Sequence, residues 1–314
     1  MKVITKYSEL EPKESAISIG FFDGVHKGHA TLLRQLVKQA KARGLQSVVI
    51  TFSTHPREAL HANYVPKLLT INSERVAMLE KFGIDVCLLL PFDKNFSDQS
   101  SKYFMKHVLV EQLNMKYLLV GYDHHFGNDR EHGYDYYKEL GESLGVEVEQ
   151  FTPYQVKKQN ISSSFIRKAI EAGDMVAANE YLGYPYFLEG SVVSGYKIGR
   201  TLGFPTANIA VSDVRKLLPK QGVYAVRVKL VDSQETYNGM LYIGVRPTVV
   251  NQSVAKSIEV HLFDFEGDIY HQQVEISFLD YVRDENRFDS LDSLANQLHR
   301  DMEAIQEWFA KQAK

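Results

Sequence analysis

A short apolar run, Ile17-Ser18-Ile19, leads into the stretch Gly20-Phe21-Phe22-Asp23-Gly24-Val25-His26-Lys27-Gly28-His29. Apolar residues then recur at helical spacing at Leu32, Leu33 and Leu36, so the stretch is predicted to join a strand to a helix. At such a turn, free backbone N–H groups and the positive end of the helix dipole face an anion. The pattern therefore predicts a phosphate-binding turn.

The first half of the chain continues this alternation of strands and helices. Further strands are predicted at Ser47 to Phe52, Val86 to Leu90, Tyr117 to Val120 and Val146 to Phe151. Helical spacing separates the first three of them. This pattern is typical of the α/β class, in which helices cover both faces of a parallel sheet.

From about Tyr184 the pattern changes to β-type runs separated by Gly, Pro, Asn and Asp. These runs predict an antiparallel barrel or sandwich. An apolar stripe from Leu291 to Trp308 then predicts a C-terminal helix that packs across it. A chain of 314 residues is expected to hold about two domains, and we place them at residues 1–183 and 184–314.

Composition limits the partners and the compartment. Lys plus Arg number 36 and Asp plus Glu 39, for a net charge of −3, so we expect no nucleic-acid partner. No apolar run is long enough for a membrane span, and we expect no membrane association. One cysteine, Cys87, and an N-terminus without an apolar signal core predict a cytoplasmic protein. Self-association is left open.

The His26-Lys27-Gly28-His29 motif carries the chemistry of the predicted turn. Gly24 and Gly28 remove side chains where a phosphate has to approach closely. Two imidazoles could then donate hydrogen bonds to phosphate oxygens during a displacement at phosphorus. The alternative is a pair of surface or helix-capping histidines.

A second anion-binding surface is predicted at Ser162, Ser163 and Ser164, followed by Arg167. Hydroxyls at a helix start together with a guanidinium can clamp β- and γ-phosphates, although serine at such a position is most often only a helix cap. The chain has neither a Gly-x-x-x-x-Gly-Lys-Ser/Thr nor a Gly-x-Gly-x-x-Gly sequence, which disfavours the two common nucleotide-binding fingerprints.

These two motifs resemble those of the prokaryotic FAD synthetases, the bacterial bifunctional riboflavin kinase/FMN adenylyltransferases. Thr51 to Pro56 and Gly121 to Gly127 resemble the same family. The resemblance implies a Rossmann-like nucleotidyltransferase domain. Its implied catalytic residues are His26, His29 and Arg167, its implied nucleotide- and phosphate-binding residues are Gly20, Phe21, Asp23, Gly24, Gly28, Ser162, Ser163 and Ser164, and its implied flavin-side residues are Asp123 and Phe126.

In the second half, Thr206 and Asn208 lie two apart on an extended segment and could bind one Mg²⁺ through oxygen atoms. Taken alone, this stretch is an ordinary loop entering a strand. However, Gly199 to Asn208 resembles the signature of the riboflavin kinase barrel, and that resemblance adds Gly199, Gly203, Pro205 and Thr206 as nucleotide-binding residues. It also implies Glu259 as the catalytic base and Arg283 and Glu285 as residues of a flap over the flavin. Tyr242 departs from the family pattern, which has Asn there.

The resemblance implies that riboflavin is phosphorylated with ATP to FMN, and that FMN is then adenylylated to FAD with release of pyrophosphate. Riboflavin, FMN and ATP are the expected small-molecule partners. Two alternatives remain. One is a nucleotidyltransferase for another phosphorylated cofactor precursor. The other is a flavin-binding regulator without catalysis.

Overall fold

The chain divides into two compact units, Met1–Ser163 and Ser164–Lys314. The structure, a computed structural model, describes residues 1–60, 63–122, 126–129, 133–152, 155–156, 159–195, 199, 202–247 and 254–312. In that part of the chain, none of the helices combines the length and the apolar character that crossing a bilayer requires.

The first unit is built on a six-stranded parallel sheet. Its strands are β1 (Lys2–Ile4), β2 (Ser15–Ile19), β3 (Gln46–Phe52), β4 (Val86–Leu90), β5 (Met115–Val120) and β6 (Glu147–Gln150). They lie in the order β1-β4-β3-β2-β5-β6, and every pair is parallel. The predicted α/β class is thus confirmed, with one edge strand, β1, in addition to the predicted ones.

Helices cover both faces of this sheet. They are α1 (Lys27–Arg43), α2 (Pro56–Leu60), α3 (Asn72–Glu80), α4 (Lys94–Ser97), α5 (Ser101–Tyr103), which continues as a π-helical segment over Phe104–Val110, and α6 (Tyr134–Ser143). Along β3, Val48 and Ile50 belong to one apolar core and Val49 to the other. All three are fully buried, which explains why the strand reads as a continuous apolar run.

The strand order places the predicted turn at the topological switch point. The chain moves from β2 to β3 on one side, whereas β5 pairs with β2 on the other. In open parallel sheets, ligands bind at the carboxyl ends of strands where the order reverses. The stretch from Gly20 to His29 follows the carboxyl end of β2.

The first unit also contains a small two-stranded sheet near its end. Its strands β7 (Gln155–Val156) and β8 (Gln159–Asn160) pair with each other.

The second unit is a closed antiparallel barrel. Two helices precede it, α7 (Ser163–Ala172), which starts at the unit boundary, and α8 (Met175–Leu182). Its strands are β9 (Phe187–Val193), β10 (Ala207–Val211), β11 (Gly222–Leu230), β12 (Thr236–Pro247), β13 (Val254–Leu262) and β14 (Gln273–Arg283). They close in the order β10-β13-β12-β11-β14-β9. Of the two predicted architectures, the barrel is confirmed.

The C-terminal helix α9 (Leu291–Gln312) packs against the outside of this barrel. Its buried Ile305 joins Phe204, Val223 and Met240 in one apolar cluster. Leu298, Met302, Trp308 and Phe309 are partly buried against the same cluster. The predicted apolar stripe therefore covers the barrel from Leu298 to Trp308, whereas its first residue, Leu291, is 60% exposed.

Candidate active sites

The turn after β2 is held in a sharply bent conformation. Phe22 and Val25 have positive φ angles of 53° and 34°, and Gly24 has a φ of 78°. A side chain at positive φ costs on the order of 1 kcal/mol or more. Such a conformation persists only when neighbouring contacts stabilise it, and here those contacts come from Asp23 and Thr70.

Asp23 ties this turn to the segment before α3. Its buried carboxylate accepts hydrogen bonds from the backbone N–H groups of Leu69 at 3.1 Å and Thr70 at 2.9 Å. The Thr70 hydroxyl in turn accepts the Gly24 N–H at 3.0 Å. In this structure Asp23 therefore braces the turn, and a direct contact between Asp23 and the nucleotide stays a prediction.

His26 and His29 form a stacked pair at the start of α1. Their ring centroids lie 3.7 Å apart with an interplanar angle of 15°. The backbone N–H of His29 donates to Nδ1 of His26 at 3.3 Å, so His26 caps the helix. Because Nδ1 accepts this bond, the proton of a neutral His26 ring lies on Nε2. A Cβ at residue 28 would lie 3.1 Å from the His26 ring, which explains Gly28.

His29 is electrically neutral at neutral pH. Burial lowers the pKa of His29 well below its ordinary value, and the neighbouring His26 lowers it further. Its Nδ1 atom is buried and has no hydrogen-bond partner among the residues that the structure describes. The turn therefore holds a neutral imidazole, and an arriving phosphate would favour its protonation.

The start of α7 reaches the same turn. The Ser163 hydroxyl donates to the backbone carbonyl of Asp23 at 2.9 Å, which brings one of the three predicted serines to the turn. Ser164 and Arg167 belong to the second unit, where the Arg167 Nη1 donates to the Ser164 hydroxyl at 3.5 Å. Their contact with a triphosphate, and that of Ser162, stays a prediction.

The predicted flavin side of the first unit is described only in part, since Asp123 lies outside the described residues. Phe126 is buried in the apolar core and stacks on Tyr137, with ring centroids 4.3 Å apart. The Tyr137 hydroxyl also bonds to the Phe126 backbone. In this structure Phe126 packs as a core residue, and its contact with flavin stays a prediction.

On the barrel, cross-strand pairing places the predicted kinase residues in one row. Asn208 on β10 pairs with Glu259 on β13, and Glu259 pairs with Tyr242 on β12. Directly paired residues project to the same face of a sheet. The Thr206 hydroxyl donates to the Glu259 carboxylate at 3.3 Å. The structure therefore brings Glu259 next to Thr206 and Asn208, which precede it by about fifty residues in the sequence.

These three side chains are oxygen donors of the type that Mg²⁺ prefers. They supply a hydroxyl, an amide oxygen and a carboxylate, and the donor set therefore fits a magnesium ion shared with ATP phosphates. The protein does not have to supply every ligand of such an ion, because phosphate oxygens of ATP would supply some of them. The described residues hold no cluster of three His, Cys, Asp or Glu side chains suited to a metal, and the magnesium site stays a prediction.

The loop before Thr206 is shaped by close backbone contacts. The Phe204 N–H donates to the Gly199 carbonyl at 2.8 Å, and a Cβ at residue 199 would lie 2.2 Å from the Phe204 carbonyl oxygen. His261 Nδ1 is 2.8 Å from the Pro205 carbonyl oxygen, so this nitrogen carries the proton. Gly203 has a φ of 81°. The predicted nucleotide loop thus depends on its glycines for geometry.

A cavity of about 150 Å³ opens beside Thr206. Its walls come from β9, β13, the start of β10 and the loops before β10 and after β13. They are lined by Val192, Pro205, Thr206, Ala207, Val260, Leu262, Phe265, Gly267, Asp268, Ile269 and Tyr270. Sequence reasoning did not predict the part formed by residues 265–270. The only sequence feature that could have indicated this part of the wall is the pair of aromatic residues, Phe265 and Tyr270, on either side of Gly267 and Asp268. The same pattern is equally typical of an ordinary turn.

The predicted flap residues are engaged with neighbouring side chains. Arg283 makes a bidentate ion pair with the buried Asp301 of α9, at 2.9 Å from Nε and 2.7 Å from Nη2. Glu285 accepts a hydrogen bond from the Tyr242 hydroxyl. Flavin contacts of Arg283 and Glu285 stay predictions.

Comparison with known proteins assigns a family to each half. The FAD synthetase family matches residues 8–165, and the riboflavin kinase family matches residues 182–309. The second match favours the flavin activities over the two alternatives that the sequence left open.

Similar proteins cover nearly the whole chain. The bifunctional riboflavin kinase/FMN adenylyltransferase of Haemophilus influenzae is 38% identical over 94% of each chain. That of Escherichia coli K12 is 35% identical over 98% of each. A crystal structure from Streptococcus pneumoniae, described as a macrolide-efflux protein, is 33% identical, with a TM-score of 0.88 and 98% of each chain covered. That description concerns the pneumococcal protein, whereas both family matches and the curated relatives agree on the flavin activities.

The chain therefore belongs to the bifunctional riboflavin kinase/FMN adenylyltransferases, transferases that convert riboflavin to FMN and FMN to FAD with ATP.

Proposed function

We propose that the two reactions take place at two separate sites, riboflavin phosphorylation on the barrel and adenylyl transfer at the turn after β2. The observation that carries this proposal is the row on the barrel, in which the Thr206 hydroxyl lies 3.3 Å from Glu259 and Asn208 pairs with Glu259. The two imidazoles lie in the other compact unit.

At the barrel site, the Glu259 carboxylate accepts the proton of the riboflavin 5′-hydroxyl while that oxygen attacks the γ-phosphorus of ATP. The bond from the γ-phosphorus to the bridging oxygen breaks, and ADP leaves. Thr206 orients the carboxylate by donating to it. Together with Asn208 it would also hold Mg²⁺, which supplies positive charge to the phosphates. The adjacent cavity suits the base of ATP, since its walls include Val260, Leu262 and Tyr270. A volume of about 150 Å³ accommodates only part of a nucleotide.

At the turn, a phosphate oxygen of FMN attacks the α-phosphorus of the second ATP and pyrophosphate leaves. The N-terminal backbone N–H groups of α1 are placed to donate to an anion, and the His26 and His29 rings lie beside them. His29 gains a proton more readily once phosphate charge is near. Ser162 and Ser163, which belong to the same unit as the turn, would hold the leaving pyrophosphate.

The cytoplasm is the compartment that we propose. Both reactions consume ATP, and Cys87 is a free, buried thiol whose pKa burial raises to about 11. Such a thiol is unreactive toward disulfide formation.

Replacing Glu259 tests the barrel site. Glu259→Gln keeps the shape of the side chain and removes the proton acceptor. We expect the turnover number for riboflavin phosphorylation to fall by roughly 10² to 10⁴, with a Michaelis constant near that of the wild type. Adenylyl transfer to supplied FMN should persist.

Glu275→Gln is a matched control, since Glu275 lies on the barrel strand β14 outside this row. It should leave both reactions unchanged. A wild-type turnover number for Glu259→Gln would remove Glu259 from the catalytic residues, and an equal loss of both reactions in a folded protein would contradict the two-site proposal.

A further inference from the structure

Tyr242 occupies a central place in the row that holds the proposed base. Its backbone pairs with Glu259 on one side and with Val223 on the other, and Val223 in turn pairs with Arg283. The row thus crosses β13, β12, β11 and β14 and ends two residues before Glu285. Because paired residues share one face of the sheet, the Tyr242 side chain lies on the face that carries Glu259.

The direction of the Tyr242 ring is fixed by the strand beneath it. A Cβ at residue 244 would lie 2.1 Å from the Tyr242 hydroxyl oxygen and 2.3 Å from Cζ. The ring therefore lies over Gly244, in space that any other residue at this position would fill. On its other side, Tyr242 packs against the apolar cluster beneath α9. These contacts fix the position of the Tyr242 hydroxyl.

The Tyr242 hydroxyl donates a hydrogen bond to the Glu285 carboxylate. Glu285 is exposed, so this bond orders a side chain that would otherwise sample many rotamers. The pKa of Tyr242 is raised by burial first, then by the bond to Glu285 and by the negative charges of Glu285 and Glu259. Two carboxylates therefore lie within electrostatic reach of one phenol.

Other contacts hold the neighbouring part of the same segment. Asp284 forms an ion pair with Lys220 at 2.6 Å and accepts a hydrogen bond from the Tyr281 hydroxyl at 2.6 Å. These anchors attach the segment to the region before β11 and to the end of β14. Among the described residues, the bond from Tyr242 ties Glu285 to β12, the strand next to the one that carries Glu259.

We propose that Tyr242 is a positioning residue for riboflavin phosphorylation, whose hydroxyl holds Glu285 and thereby fixes residues 284–290 beside the row that carries Glu259. This inference rests on the proposed assignment of the kinase site to the barrel. A segment held in this way is preorganised to enclose an aromatic substrate, so that less ordering is needed when riboflavin binds. The Tyr242 hydroxyl contacts Glu285 and not the reacting atoms. We therefore expect it to affect the binding of riboflavin and not the rate of phosphoryl transfer.

Tyr242→Phe removes the hydroxyl and retains the ring. We expect the Michaelis constant for riboflavin to rise about tenfold, which corresponds to about 1.4 kcal/mol, with a turnover number within about twofold of the wild type. Tyr237→Phe is the matched control, because Tyr237 lies on the same strand and its hydroxyl also bonds to a glutamate, Glu235, at 3.3 Å. That control should leave both constants unchanged.

The double variant Tyr242→Phe/Glu285→Ala tests whether the hydroxyl acts through Glu285. If it does, adding Tyr242→Phe to Glu285→Ala changes the Michaelis constant no further. If the double variant instead raises the Michaelis constant by the product of the two single effects, the proposal is overturned. A wild-type Michaelis constant for Tyr242→Phe would overturn it as well, and so would a lowered turnover number with an unchanged Michaelis constant.

A different result would show that riboflavin phosphorylation does not take place at Glu259 on the barrel. In that case Glu259→Gln would keep the wild-type turnover number, whatever the outcome for Tyr242→Phe. Since Glu285 is exposed, Glu285→Ala should fold even if the tyrosine variant does not, and by itself it should raise the Michaelis constant for riboflavin. An unchanged constant in that variant would also contradict the proposed role.

Discussion

The two imidazoles at the start of α1 have different tasks because their nitrogens have different partners. His26 uses Nδ1 to accept the His29 N–H, so a neutral His26 ring carries its proton on Nε2. His29 stacks on His26 at 3.7 Å, and two positive rings at this distance would repel each other. The lowered pKa of His29 therefore keeps this ring neutral until phosphate arrives, and the negative charge of the phosphate then favours its protonated form.

The lowered pKa of His29 also makes the stability of the protein depend on pH. Below about pH 6.5 the unfolded chain binds a proton at this residue and the folded protein does not, so the folded protein loses stability as the pH falls. His29→Gln removes the titrating group. Between pH 7.5 and 5.5 we expect the wild type to lose about 1 kcal/mol more than the variant, measured from the thermal midpoints of both proteins. Parallel pH curves would contradict a neutral His29.

At the scale of elements, one ion pair fastens the C-terminal helix to the barrel. The guanidinium of Arg283 at the end of β14 meets the Asp301 carboxylate, which is 3% exposed, through three short contacts. A further bond from Nη1 reaches the Asp284 carbonyl. Arg283 therefore contacts both α9, through Asp301, and the segment of residues 284–290, through the Asp284 carbonyl.

Asp301→Ala should destabilise the second unit by about 3 kcal/mol, because it leaves a largely buried guanidinium without its partner. Glu303→Ala is the control, since Glu303 is exposed on the same helix and should change stability by less than about 0.5 kcal/mol. Urea denaturation of the full chain measures both. Equal midpoints for the two variants would show that Arg283 does not hold α9.

The elements that the sequence predicted are those with a continuous or periodic apolar pattern. Strand β4 was predicted with the bounds that it has, because all of its residues are apolar and four of the five are buried. Strand β1 was missed, since only Ile4 of its three residues is buried. Helix α8 was missed as well, because its buried residues fall within a short and largely apolar stretch.

The site could be predicted only as far as local motifs reach. Thr206, Asn208 and Glu259 were named from their motifs, but the row that joins them depends on the register between β10, β13 and β12. The alternation of apolar residues indicates which face of the sheet a residue takes, but it does not identify the partner residue on the next strand. For the same reason the sequence did not show that Tyr242 meets Glu285, that His26 caps α1, or that residues 265–270 line a cavity.

At the scale of the whole molecule, helices α7 and α8 fall in the second compact unit. The Lys220 N–H donates to the Ile170 carbonyl at 3.2 Å, and Asn179 joins the Phe278 carbonyl to the Tyr186 N–H. The functional boundary near Gly183 stays a prediction. A fragment that begins at Ser164 keeps these contacts with the barrel, whereas one that begins at residue 184 loses them.

The activity of the fragment from Ser164 to Lys314 tests most directly the claim that each reaction has its own site. The fragment contains Thr206, Asn208, Glu259 and Tyr242 and lacks both imidazoles of the turn. With riboflavin, ATP and Mg²⁺, followed by chromatography of the flavins, it should form FMN at a rate near that of the full chain and no FAD. A folded, soluble fragment that forms no FMN, or one that forms FAD, would contradict the account.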